Sequence, residues 1–443
     1  MLKRIHIKGY KSLRDVEIEL PRLAVLFGPN ASGKSNFLDA LQLLSRLATS
    51  RTLREAFAPP YRGKPLESFS FGHDGIRGLL DHKRLHLSIE ADIELSETLV
   101  ETVNREIQQM HGSALWPLGG GAPNGRTAPR MTVHQRNLRY RIEIEMAPRS
   151  GELRLSNENL VALTRNGRLK RTQPFIKRHD DFIWVRREGE NDWQVYDRAN
   201  DSFLARPYYP PHHPHLAAVR REFETWRFHY LEPRERMRSE DPVEEVRRIG
   251  PMGEGLAAFL NTLKSSAPNQ FRALEKALHA LVPNVDGIDV KVNNYGEAEI
   301  CLKENGSEVS ARLLSDGTLR MLGLLALTGA ADGPALVGFE EPENGVHPGR
   351  IDLIADFLNT RRMTGQTQFI VTTHSPILPD LLPNDSLLVA SRQGDHTRIE
   401  PFAVWGPAGR RKHIDEALRD DRPDADEEPL PISRRLLRGD FDA

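Results

Sequence analysis

Gly28-Pro29-Asn30-Ala31-Ser32-Gly33-Lys34-Ser35 is the stretch that leaves this chain the fewest choices of fold. It matches G-x-x-x-x-G-K-[ST], a loop whose glycines let backbone N–H groups wrap an anion while the next helix points its N-terminus at it. The flanks agree. "LAVLF" (Leu23 to Phe27) is a short apolar run of the kind that makes a fully buried strand, and "KSNFLDALQLLSRLA" carries Phe37, Leu38, Leu41, Leu44 and Leu47 at helical spacing. Strand, glycine loop and helix in that order predict an α/β fold of the P-loop NTPase type. A chance match in a glycine-rich turn would lack those neighbours. Within the motif Gly28, Asn30 and Gly33 shape the cradle. Lys34 brings a point charge to the β- and γ-phosphate oxygens, Ser35 a hydroxyl ligand for Mg²⁺, and Asn36 follows in the first, phosphate-facing turn of the helix.

Such a loop needs an acidic partner at the end of another buried strand, to hold the magnesium shell and polarise the attacking water. "ALVGFEEPENGVHP" (Ala335 to Pro348) offers one: Leu336 to Phe339 form the strand, and Glu340 and Glu341 emerge at its end. Two solvated carboxylates in a turn would mean nothing. At a buried strand end they are too costly to be idle. "QFIVTTHSPIL" repeats the pattern, with Gln368 to Thr373 as strand and His374 at its carboxyl end. A histidine there is more often structural than catalytic. In an open parallel sheet, however, ligands bind at the carboxyl ends of strands, where Gly28, Glu341 and His374 would converge. "LLSDGTLRMLGLLAL" (Leu313 to Leu327) sets a Ser-Asp-Gly-Thr turn ahead of an apolar helix, again with free N–H groups at its start.

The rest of the chain is read more coarsely. Its 443 residues, 39% hydrophobic, can bury a full core and suggest two or three folding units. A net charge of -1 gives no global basic excess for nucleic acid or anionic membrane. The single cysteine, Cys301, excludes an intramolecular disulfide, and neither a leader-like apolar stretch nor a membrane-length one is present. The expectation is a cytoplasmic protein. "LHLSIEADIEL" and "LRYRIEIEM" alternate as antiparallel strands do, and "ELRLS", "DFIWVRR" and "WQVYD" are further strands. Gly119 to Pro129 reads as a mobile loop, and "GIDVKV" with "AEICLKE" as a hairpin. His212, His213 and His215 sit in a Pro-rich connection with no acid beside them, and are expected in solvent rather than on a metal.

The order P-loop, "LSDGT", "FEEPENGVHP", "TTHSP" resembles the ABC-type ATPase head of the RecF, SMC and OLD (overcoming-lysogenization-defect) group. It is most similar to the stand-alone AAA family ATPases of bacterial anti-phage and toxin-like operons. "IHIKGYKSLRDVEIEL", "HYLEPRERM" and "GEGLAAFLNTLK" add to the likeness, which spans most of residues 1–395, is weak from about 50 to 220 and ends near 405. The resemblance implies ATP and Mg²⁺ as ligands. Lys34 and Ser35 would hold phosphate and Mg²⁺, Glu340 would stand at the Walker B aspartate, Glu341 would be the catalytic base, and His374 the switch histidine. Ser315 and Gly317 match the signature motif, which in this group completes the ATP site of the opposite subunit, so a homodimer is implied.

On this reading residues 1–50 are the N-terminal part of the head, 51–230 a strand-rich insertion, 231–304 a helical and hairpin region, 305–405 the C-terminal part of the head and 406–443 an acidic tail. The chain departs from the group at Asp316, where a signature glycine is usual, and at Glu340, a longer acid than Asp. Gln42 is an unconvincing Q-loop glutamine, and coiled-coil arms and a Cys-x-x-Cys hook are missing. Six carboxylates between Asp420 and Glu428 could be imagined as the metal cluster of a TOPRIM nuclease, but no apolar strands surround them, so they read as a solvated tail. The terminal "ISRRLLRGDFDA" is expected to dock on the head or on a partner. Three functions compete: a dimeric ATP-hydrolysing regulator of an effector encoded nearby, in phage defence; a RecF-like DNA-binding repair ATPase; and, last, a transporter subunit. The first leads, its cellular role resting on family analogy alone; the second would need a basic groove, for which "RHDDFIWVRRE" and "RREFETWRFHYLEPRERMR" are the only candidates, both diluted with acids.

Overall fold

The computed structural model describes residues 1–72, 75–112, 132–179, 182–188, 192–196, 201–327, 333–365, 367–405 and 430–441. The loop expected at Gly119 to Pro129 and the carboxylates from Asp420 to Glu428 lie outside the described residues.

Three stretches that read as continuous apolar runs, Leu23–Phe27, Leu336–Glu340 and Gln368–Thr372, are strands buried at every position. Burial on both faces is what a parallel sheet under two layers demands. They form the centre of a six-stranded sheet in the order Arg227–His229, Leu336–Glu340, Gln368–Thr372, Leu23–Phe27, Leu387–Gln393 and His396–Pro401. The first five strands run parallel and the last turns back antiparallel. Alternate residues serve alternate cores. Ala24, Leu26, Leu336 and Ile370 pack toward the helix Lys34–Thr49. Leu23, Val25, Phe27, Val337, Phe339, Phe369 and Val371 pack toward the helices Leu256–Ser266, Pro268–Leu281, Asp316–Ala326 and Ile351–Thr364.

The helix Lys34–Thr49 is buried almost all round, from Phe37 through Leu47, because a second sheet covers its other side. This sheet is antiparallel, eight strands in the order Leu13–Glu19, Leu2–Tyr10, Leu85–Glu94, Asn137–Ala147, Glu152–Ala162, Ile176–His179, Phe182–Arg187 and Asp192–Tyr196. Residues 2–19 therefore share a sheet with strands of the 51–230 stretch. Its inner positions Ile5, Ile7, Ile89, Tyr140, Ile142 and Leu160 are inaccessible to solvent. Its other face is a lattice of opposite charges: Arg4 holds Glu17 (2.6 Å) and Glu90 (2.8 Å), Arg139 holds Asp92 (2.6 Å), and Arg154 holds Glu145 (2.8 Å). The hairpin Val285–Val292 and Glu297–Glu304 anchors a third, small sheet. The helix pair before it breaks at Pro268, which starts the second helix.

One expectation needs correction. His213 and His215 are buried, not solvated, and an acid does stand beside them: His215 Nδ1 lies 2.6 Å from buried Glu188. Pro214 opens the helix Pro214–Glu224, and His215 is buried in its first turn. The Nε2 of His215 accepts the backbone N–H groups of His134 and Gln135 (3.2 and 3.0 Å), so Nδ1 carries the proton and donates to Glu188. Both ring nitrogens are committed, and burial holds the imidazole neutral by pushing its pKa down. His134 completes a possible ligand triangle with Glu188 and His215, but a metal would have to break this bonding to bind.

Candidate nucleotide site

Three strand ends lie level in the sheet, since Leu26 pairs with Thr372 and Thr372 with Glu340. The residues that follow them are therefore brought to one place. Backbone bonds tie these exits together: Glu341 N–H donates to Thr372 O (2.9 Å) and Thr373 N–H to Leu26 O (3.0 Å).

The P-loop glycines are required by their surroundings. A Cβ on Gly28 (φ 143°) would fall 2.0 Å from the carbonyl oxygen of Ala390, and one on Gly33 (φ 98°) 2.0 Å from Thr397 Oγ1. Lys34 is buried and its ammonium donates to the carbonyls of Gly28 and Pro29, both at 2.8 Å. Burial lowers its pKa to about 8, against the pull of Glu341 and Glu343. A phosphate in the loop competes with those carbonyls for the same amine. Asn30 stands exposed on the loop, while Asn36 donates to Ser12 Oγ (2.8 Å) and braces the start of the helix.

Ser35 Oγ donates to Glu340 Oε1 at 2.5 Å. A hydroxyl and a buried carboxylate meeting at a P-loop are the hard oxygen donors that Mg²⁺ takes, and the extra methylene of Glu340 does not prevent the contact. The other oxygen of Glu340 is held by Arg62 (2.8 Å), which also binds Asp39 on the P-loop helix (2.8 Å). Gln42 lines the same cavity as Arg62 and Glu340. Arg62 falls in a Pro-, Gly- and Arg-rich stretch without period, and nothing local in the sequence marks it.

Glu341 has φ 49°, the left-handed region that costs a side chain roughly 1 kcal/mol or more. The turn sends its carboxylate to His374, whose Nε2 lies 3.0 Å from Glu341 Oε1. Burial and then neighbouring Glu340 push the Glu341 carboxyl above the usual range, while burial and then Lys34 push His374 down. Two more residues fix this pair. Oε1 of Glu343, a buried side chain, accepts Thr373 Oγ1–H (2.6 Å), His374 N–H (3.0 Å) and Ser375 N–H (3.1 Å), which welds the turn after Glu341 to the histidine loop. Arg320, from the helix Asp316–Ala326, donates to the Glu341 carbonyl (3.2 Å). Both had a sequence signal: a third acid in "EEPENG" and one arginine in an otherwise apolar helix.

Ser315 caps that helix, its Oγ accepting the N–H of Thr318 (3.1 Å). Asp316, the departure from the glycine pattern, is clamped by Arg234 (3.0 Å) and Arg238 (2.7 Å). Gly317 packs close to the backbone of Gly345 and Val346, just beyond Glu341. Among the described residues no hydrogen bond or ion pair joins Ser315 or Gly317 to residues 28–36. The structure thus gathers Gly28, Gly33, Lys34, Ser35, Glu340, Glu341 and His374, and sets Gly317 against the turn that follows Glu341 rather than in the bonding of the P-loop.

Comparison with known proteins points to the same class of fold. The family model described as "AAA domain, putative AbiEii toxin, Type IV TA system" matches residues 185–380, and one described as "AAA ATPase domain" matches residues 1–109. The DNA replication and repair protein RecF of Streptococcus agalactiae serotype Ia is 24% identical over 314 residues, 66% of this chain and 82% of that protein. RecF of Rippkaea orientalis is 40% identical over 55 residues, 12% of this chain and 14% of its own. A crystal structure of the SMC head bound to the C-winged helix domain of ScpA has the same fold, with a TM-score of 0.53 at 14% identity over 90% of this chain and 97% of that one. Fold and loop define a P-loop NTPase. The matches make the chain an ATP-hydrolysing P-loop enzyme, similar to the ABC-type ATPase heads of the RecF/SMC group.

Proposed function

We propose that this ATPase works as a homodimer that closes on two ATP molecules, and that closure controls an effector protein in a defence setting. One observation carries the dimer: the signature turn is capped by Ser315 and clamped through Asp316 by Arg234 and Arg238, yet among the described residues no hydrogen bond or ion pair links it to its own P-loop. A preformed phosphate-binding turn without a local phosphate site suits the nucleotide of a second copy. The toxin–antitoxin description of the matching family model supports the defence setting.

In this reading Lys34 and the loop N–H groups hold the β- and γ-phosphates, and Ser35 and Glu340 hold Mg²⁺, which when bound neutralises charge on the phosphate oxygens. Glu341 takes a proton from water as its oxygen bonds to the γ-phosphorus, the bond to the β–γ bridging oxygen breaks, and ADP leaves with that electron pair. His374, held on Glu341, orients the base and meets the γ-phosphate.

Glu341→Gln tests it. The amide keeps the size but cannot take the proton, so hydrolysis should fall by roughly 10²- to 10⁴-fold while MgATP binding survives. Size-exclusion chromatography with MgATP should then show an accumulated dimer. Normal turnover would remove Glu341 as base, and a monomer under MgATP would remove the clamp.

RecF-like DNA binding is the second reading, favoured by the name of the matched relatives. Against it, Arg4, Arg139 and Arg154 on the outer face of the antiparallel sheet are each paired with carboxylates. Salt-dependent retention of duplex DNA on a filter would establish it.

A further inference from the structure

The segment Leu430–Phe441 touches the site from behind at two points. Its helix Ile432–Arg438 is capped by Asp380, whose carboxylate accepts Ile432 N–H (2.5 Å) and Ser433 N–H (3.2 Å). Asp380 belongs to the loop that begins at His374, and in that loop Ser375 Oγ accepts the N–H groups of Ile377 and Leu378. Glu343 holds the near end of the same loop. At the other point Phe441, 1% exposed, sets its ring edge-on to Phe27 at 5.3 Å. Phe27 is the last residue of the P-loop strand, directly before Gly28.

The segment is built to stay. Arg435, 2% exposed, lies over the rings of Phe402 (5.3 Å) and Phe441 (5.0 Å), and Trp405 packs on Phe441 at 5.3 Å. Gly439 turns the chain at φ 80°, so that Asp440 N–H reaches Arg435 O (3.0 Å) and Phe441 folds under the helix. A planar cation stacked on aromatic faces and an acid capping a helix end give this short element an address on the head that propensity alone could not.

We infer that Leu430–Phe441 is a positioning element for hydrolysis: it clamps the loop that carries His374 and the strand end that carries the P-loop. This rests on the reading of His374 as a participant in turnover. On the proposed reading nucleotide affinity comes from loop N–H groups and Lys34, and among the described residues no hydrogen bond, ion pair or ring contact joins the segment to them. Its loss should therefore act on turnover and not on binding.

The test uses the full chain with Asp380→Ala, a change at an exposed residue, and separately Phe441→Ala, with Phe441→Leu as the conservative variant. In the two alanine variants turnover should fall by roughly 10-fold, the size expected when a catalytic group loses its fixed geometry. KM for ATP should stay within about two-fold, amide exchange across 374–382 should accelerate, and Phe441→Leu should restore most of the rate. The double variant should be no worse than the poorer single one, because both act through one dock. Unchanged turnover in Asp380→Ala would overturn the proposal, as would a rise in KM that accounts for the loss. His374→Ala, measured alongside, separates the two ideas. Should it hydrolyse normally, the role given to His374 fails, and the exchange data on Asp380→Ala alone decide whether the segment clamps the loop.

Discussion

Glu343 shows how a residue outside the motif consensus can govern those inside it. One carboxylate oxygen gathers a hydroxyl and two backbone N–H groups from Thr373, His374 and Ser375. Charge-assisted bonds of this kind are the strong ones, and a buried acceptor with three donors leaves the loop no second arrangement. Glu343→Ala should cut hydrolysis by roughly 10- to 100-fold with ATP affinity retained within a few-fold, by analogy with other positioning losses. Glu343→Gln keeps a carbonyl acceptor and should lose less. Single-turnover rates beside equilibrium nucleotide titration check both, and an alanine variant with normal rate would make Glu343 merely structural. The acid itself was legible in "EEPENG", but its role was not, because its partners lie about thirty residues on, brought close only by strand pairing. Arg62 was illegible altogether: its use depends on reaching Asp39 and Glu340 from a stretch without period.

At the scale of elements, pattern and fold agree wherever one face of a strand or helix meets a core. The alternation of Ile5, Ile7, Val16 and Ile18, the apolar runs beside the P-loop and the helix after it all appear where their periods put them. The buried histidines do not follow from pattern, since a histidine scores as polar until a specific partner is known. His229, at the end of the edge strand Arg227–His229, is such a case. Its Nδ1 lies 3.3 Å from Gly250 O, and burial lowers its pKa from 6.5 to about 4. The unfolded chain takes up this proton near 6.5 and the folded one only near 4, so acid favours unfolding. The stability it protects is whole above pH 6.5, declines as pH falls through that window, and is down by about 3 kcal/mol below pH 4. Urea midpoints at pH 7.5 and 4.5 measure the loss, which His229→Gln should reduce. Equal acid sensitivity in the two proteins would assign the decline to other groups.

Over the whole molecule the central question is which chain completes which site. Ser315→Arg should bind ATP and fail to hydrolyse it, and Lys34→Ala should fail to bind it, since the loop loses its one lysine charge. Mixed in equal amounts, the two should regain up to about a quarter of wild-type activity, because half the dimers then pair an intact P-loop with an intact signature at one of two sites. Mixtures as inactive as their parts would place each site within one chain. Sequence alone determined the nucleotide loop, the acids and histidine at strand ends, and the class of fold, because these depend on short-range period and on chemistry that tolerates few residue types. Tertiary structure alone decided that Glu341 meets His374, that Arg62, Glu343 and Arg320 hold the site, that His215 is committed to Glu188, and that Leu430–Phe441 docks behind the P-loop. Each of those is a contact between residues far apart in the chain, set by the register of parallel strands and by which face of a helix is left to cover. No local pattern carries that information.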